Sequence, residues 1–139
     1  MGHRMVSAET ADWQPSRLAG VLNCDLASQV GATGLAARLW RLRPGETLTR
    51  HRHRSQTEVY VLLEGSGRLR ADEELLTLEP MSVVAVDPDS VRQVFNDTAA
   101  DQLWLIFGAP AEPWPDADAA AYMYPDGPRA LPPELMAGT

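Results

Sequence analysis

The sequence predicts an all-β domain, a barrel or sandwich of short antiparallel strands, with a proline-rich tail behind it. Between Leu35 and Phe107 the chain runs in short stretches of β-branched and aliphatic residues, each closed by a turn signal. Residues 1–33 carry no strong helical period and no internal repeat is present. Seven of the eleven prolines lie between Pro110 and Pro133, where a sheet strand cannot run.

Each element follows from these signals. Residues 1–33 read as an N-terminal arm holding a strand or two. The barrel core is expected over 34–108. Its first run, Leu35–Arg43, closes at Pro44-Gly45, and Glu58–Leu63 closes at Gly65-Ser66-Gly67. Gly67–Arg70 and Glu74–Leu78 read as a hairpin around Ala71-Asp72-Glu73. Ser82–Val86 ends at Asp87-Pro88-Asp89-Ser90, Val91–Phe95 at Asn96-Asp97, and Gln102–Phe107 at Gly108. Trp104 to Phe107 is apolar on both strand faces, so one face should join the core while a second subunit or the tail covers the other. Residues 109–139 form an acidic tail whose Trp114, Tyr122 and Tyr124 suggest packing on the barrel or on a partner subunit, with a short helix around Ala117–Tyr122.

Composition bounds the function. A chain of 139 residues is one domain on length, large enough to bury a core. Its net charge of −7 argues against nucleic acid and anionic membranes, both of which need clustered positive charge. No run is long and apolar enough to span a bilayer, and the N-terminus lacks a signal core, so a cytoplasmic protein is expected. Cys24 is the lone cysteine and reads as a buried, inert residue. There is no lysine, which removes Schiff-base chemistry and lysine-dependent phosphate loops, so any cation in a site must be arginine.

The chemistry concentrates at His51, His53 and Glu58. On a strand, H-x-H spacing points both imidazoles to one face and sends Arg50, Arg52 and Arg54 to the other, as a solvated basic stripe. If the run beginning at Glu58 pairs with the histidine strand, its carboxylate returns to the same interior point. Two neutral imidazoles and a carboxylate suit Fe, Mn, Ni, Cu or Zn as divalent ions, with positions left for water or substrate. The competing reading is a surface H-x-H beside a solvated acid. Tyr60 shares the parity of Glu58 and is a candidate substrate contact or core tyrosine. Trp40 is a candidate for the pocket mouth or for packing, with Arg38 on its face.

Written as a pattern, residues 45–65 are Gly, five residues, His-x-His, four residues, Glu, six residues, Gly. This resembles the first metal-binding motif of the cupin superfamily at every defined position. Residues 86–96 resemble the second motif, with Asn96 in its place. The resemblance implies a small antiparallel jelly-roll barrel holding a metal ion and substrate inside, and a homodimer. The second motif departs from the pattern: its histidine position falls on Arg92, which cannot serve as an ordinary ligand because its guanidinium offers no acceptor. Two outcomes stay open. His51, His53 and Glu58 hold a metal alone, with Arg92 placed to clamp an anionic group of substrate. Alternatively, Arg92 lies across the site and pairs with Glu58 in a metal-free pocket. The expected functions are accordingly a metal-dependent enzyme of the oxygenase, isomerase or lyase type acting on a small polar or carboxylate-bearing metabolite, or a metal-free, non-catalytic binding or sensor protein.

Overall fold

The computed structural model describes residues 2–136. Two antiparallel sheets face each other across one core. The strands are β1 (Gln14–Pro15), β2 (Leu22–Asp25), β3 (Ala36–Leu42), β4 (Thr57–Glu64), β5 (Gly67–Ala71), β6 (Glu74–Leu78), β7 (Val83–Val86), β8 (Arg92–Phe95) and β9 (Gln102–Ala109). The larger sheet runs β1-β2-β3-β9-β4-β7 and the smaller β6-β5-β8. Every pairing is antiparallel, giving the all-β jelly roll that the sequence implies. Each apolar run expected to be a strand is one, with ends moved by one or two residues.

Alternation decides what faces inward. In β4, Glu58, Tyr60 and Leu62 are buried between more exposed neighbours. In β9, Gln102, Trp104, Ile106 and Gly108 do the same. Trp104 fills the centre of the core and its Nε1 donates to Gln102 Oε1 at 2.9 Å. Gly67 lies against its indole, where an added Cβ would collide with the ring. The two motif glycines, Gly45 and Gly65, both have φ above +80° and end their turns in the left-handed region.

The N-terminal arm supplies β1 and β2 to the larger sheet, and a short helix, α1 (Leu26–Val30), which was not expected. Its Asp25 N-cap accepts from Ser28 N at 3.0 Å. Cys24, Ala27 and Leu39 are buried together around it, with Cys24 a free thiol.

The tail crosses the barrel, and helices form at α2 (Ala117–Met123) and α3 (Pro133–Met136). The basic stripe is only partly solvated: Arg54 is exposed, while Arg50 and Arg52 are half-buried. Arg50 Nε donates to Asp126 Oδ2 at 2.7 Å and Arg52 Nε to the Tyr122 carbonyl at 2.8 Å. The guanidinium groups of Arg52 and Arg54 sit 3.9 and 4.1 Å from the centre of the Tyr122 ring. These arginines dock the tail onto the outside of the histidine segment. Gln93 Nε2 donates to Ala130 O at 2.9 Å, and Arg70 pairs with Glu134 further along. Among the described residues, no helix is long and apolar enough to cross a membrane.

Candidate metal centre

The histidine segment is not a regular strand and does not pair with β4, so the convergence does not come by the pairing considered from sequence. Residues 47–51 run along the open edge of β8, touching it through bridges Thr47↔Phe95 and His51↔Arg92. β4 pairs instead with β9 and β7. The imidazoles therefore arrive from the smaller-sheet side and Glu58 from the larger sheet, so the site lies between the sheets. His51 N donates to Arg92 O at 2.9 Å and Arg92 N to His51 O at 2.8 Å. His53 is fixed two residues on, where its N–H donates to Pro88 O at 2.7 Å.

The donor atoms of His51, His53 and Glu58 lie within 4.8 Å of one another. Glu58 Oε1 is 3.3 Å from His51 Nε2 and 3.4 Å from His53 Nε2. Two donors held at about 2.1 Å from a shared ion, at angles between about 90° and 109°, stand roughly 3.0–3.4 Å apart. The far ring nitrogens fix the tautomers. His51 Nδ1 lies 3.0 Å from the Thr49 carbonyl, which can only accept, so Nδ1 carries the proton. His53 Nδ1 lies 3.1 Å from Glu112 Oε2, an acceptor when ionised. In the neutral rings both Nε2 lone pairs then face the Glu58 carboxylate. His53 Nε2 is buried without a hydrogen-bond partner. Three acceptors aimed at one point are satisfied by a cation or by protonating the rings, so the donor set fits a divalent ion.

Burial pushes the Glu58 carboxyl up, but with the rings protonated their hydrogen bonds and charges outweigh burial and hold it well below the usual range. Burial also pushes Glu112 up, yet the Ser55 and Arg54 N–H groups and His53 bring it below the usual range. Glu112 Oε1 accepts from Arg54 N at 2.9 Å and Ser55 N at 3.2 Å. It thus clamps the turn after the H-x-H while orienting His53, the role of a carboxylate behind a metal-binding imidazole. Gln56 Nε2 donates to Glu58 Oε2 at 3.2 Å, and Tyr60 Oη donates to Glu58 Oε1 at 2.7 Å. Burial, then Glu58, raises the Tyr60 phenol well above its ordinary value, so it stays a donor.

A cavity of about 430 Å³ opens above these groups, lined by His51, His53, Glu58, Tyr60, Arg38 and Trp40 among others. Arg92 is not on its wall. Its side chain is 0% exposed, with Nη1 3.5 Å from Glu58 Oε1 and Nη2 donating to Asp87 O at 2.6 Å. Nη1 and Nε have no hydrogen-bond partner. Asn96, the motif's other landmark, is buried and donates to Leu42 O at 3.1 Å and Ala100 O at 2.8 Å, pinning the turn after β8. Glu112 and Gln56 were missed by sequence reasoning. Glu112 comes from the tail, 59 positions from His53, and only tertiary placement reveals it.

Residues 38–107 match the family described as Cupin domain, which is half of the chain. The chain belongs to the cupin family. This cupin is similar in fold to a sugar phosphate isomerase from Silicibacter pomeroyi, at 24% identity over 77% of this chain and 76% of that one, TM-score 0.69. It is also similar to a cupin protein from Bacteroides fragilis, at 19% identity, 84% and 91% coverage and TM-score 0.67. A predicted oxalate decarboxylase from Thermotoga maritima aligns at 16% identity, 77% and 99% coverage and TM-score 0.69. No curated protein matches the sequence significantly.

Proposed function

We propose that this cupin holds one divalent transition-metal ion through His51, His53 and Glu58 and binds a small polar metabolite in the cavity above it. The observation that carries the reading is the pair of imidazoles locked at Nδ1, by Thr49 O and by Glu112, with both Nε2 atoms turned on the Glu58 carboxylate. When bound, the ion would act as a Lewis acid on a substrate oxygen. The chain's own residues supply the rest. Tyr60 holds its proton on Glu58 Oε1 and keeps that carboxylate in place, Glu112 keeps His53 turned inward, and Trp40 and Ile106 give the cavity an apolar wall. The names sugar phosphate isomerase and oxalate decarboxylase, carried by proteins of like fold, both refer to small oxygen-rich anions, which is compatible with a polar metabolite.

A second reading is a metal-free binding protein in which Arg92 neutralises Glu58, favoured by their 3.5 Å approach. That contact is an ion pair without a hydrogen bond and leaves two guanidinium nitrogens unpartnered, a poor arrangement for a pair meant to stand alone. Calorimetric titration of stripped protein with Mn(II), Ni(II) and Zn(II) tests the choice. One site that disappears in His53→Ala is expected; no heat with any ion would leave the Arg92–Glu58 pair as the resting state.

A further inference from the structure

The cavity wall carries charges of both signs. Among its lining residues the only carboxylates are Glu58 and Glu112, both at the histidine end. Two arginines, Arg38 and Arg17, also line it.

Arg38 lies opposite Ile106, which lies opposite Tyr60, and all three line the cavity. Two strand spacings, about 10 Å, therefore separate the Arg38 and Tyr60 backbones across the sheet. The guanidinium is held in place by a built network. Nη1 donates to Asn23 Oδ1 at 2.7 Å, and Nη2 is 3.1 Å from Asp25 Oδ2. Asn23 is buried, and its Nδ2 donates to Gln14 O at 3.0 Å and Val21 O at 3.4 Å, which turns Oδ1 towards Arg38. Asp25 is not part of the cavity lining, and 43% of the Arg38 side chain remains exposed. Arg17 has no carboxylate partner among the described residues; its guanidinium rests 5.2 Å from the centre of the Trp114 ring. Arg17 and Trp114 are both exposed, so this pair stands at the rim, between the N-terminal arm and the tail.

We propose that Arg38 and Arg17 form an oxyanion subsite, taking the carboxylate or phosphoryl group of a ligand whose other end reaches the histidine centre. This rests on the reading of the cavity as a metabolite site, but the subsite itself needs no metal. Guanidinium groups suit such anions because they donate in a planar fork. The function first expected of Arg92, holding an anionic group of substrate, passes to residues that face the cavity.

Metal-free protein labelled with ¹⁵N is titrated with inorganic phosphate and, separately, with succinate, following the side-chain Nε–H signals of Arg17 and Arg38. Glycerol serves as the neutral control. The expected result is saturable shifts with at least one anion and none with glycerol. Arg17→Gln and Arg38→Gln should each weaken binding at least fivefold, and the relative affinities of the two anions identify the preferred group. Arg17 is exposed, so its variant should fold normally, and the backbone spectrum checks Arg38→Gln. Arg43→Gln, which removes an exposed arginine outside the cavity lining, should bind the anion as wild type does. Unchanged affinity in Arg17→Gln or Arg38→Gln overturns the subsite, as does an equal loss of anion binding in Arg43→Gln. Metal uptake that fails in wild type while anion binding survives counts against the metal reading and leaves the subsite standing.

Discussion

Replacing Arg92 by methionine should raise metal affinity while destabilising the metal-free protein. At 3.5 Å and an effective dielectric of about 20, the guanidinium and the Glu58 carboxylate attract by about 4 to 5 kcal/mol. An ion that takes the same oxygen competes with that attraction and is itself repelled by the cation. Reorganisation and desolvation absorb part of the difference, so a gain of about 1.4 to 2.8 kcal/mol is expected, about ten- to a hundredfold in Kd. Without the ion, the variant leaves the imidazoles alone to neutralise the buried Glu58, and removal of one partner of a buried pair costs up to about 3 to 5 kcal/mol. The assay pairs chelator competition for Kd with melts of stripped and loaded protein. The interval between the two melting temperatures should widen in the variant. Equal or weaker metal binding by Arg92→Met would refute the reasoning and make Arg92 a support of the bound state.

Other consequences follow from the same contacts. Glu112→Gln removes the charge behind His53 but keeps an acceptor, so metal affinity should fall by about tenfold. Glu112→Ala also frees the Arg54 and Ser55 N–H groups and should fall towards a hundredfold, both read by chelator competition. Acid should unfold the metal-free protein through its depressed carboxyls. Glu58 and Glu112 titrate lower in the folded chain than their ordinary value of 4.5, so the unfolded chain binds more protons between the two values. Their stabilisation is present above pH 4.5 and lost as pH falls through the folded values; Glu58→Gln should flatten the fall in urea midpoint as pH is lowered below 4.5. Tyr122→Ala removes the ring under Arg52 and Arg54, costing roughly 0.5–1 kcal/mol per contact, and should speed proteolysis of the tail.

Much of the barrel was legible because strand period and turn chemistry are local. The hairpin Gly67–Ala71 with Glu74–Leu78 and the inward alternation of Glu58, Tyr60 and Leu62 follow from residues within a few positions of one another. The convergence of His51, His53 and Glu58 was legible from spacing, yet the route was misread. The run from Glu58 has the pattern of any half-buried strand, and nothing local says that it pairs with β9 and β7 instead of the histidine segment. The arginine stripe was misread for the same reason, since its partners Tyr122 and Asp126 lie 70 and 76 positions away. The motif puts Arg92 at the position of the missing histidine, but only the packed structure shows it opposite His51, behind Glu58 and off the cavity wall. Glu112 had no local signal at all.

The most direct test is elemental analysis of wild-type protein purified without chelator or affinity-column metal, beside His51→Ala. The account predicts close to one equivalent of a divalent transition metal in the wild type and a negligible amount in the variant. Wild-type protein that carries none and takes up none on reconstitution would contradict it.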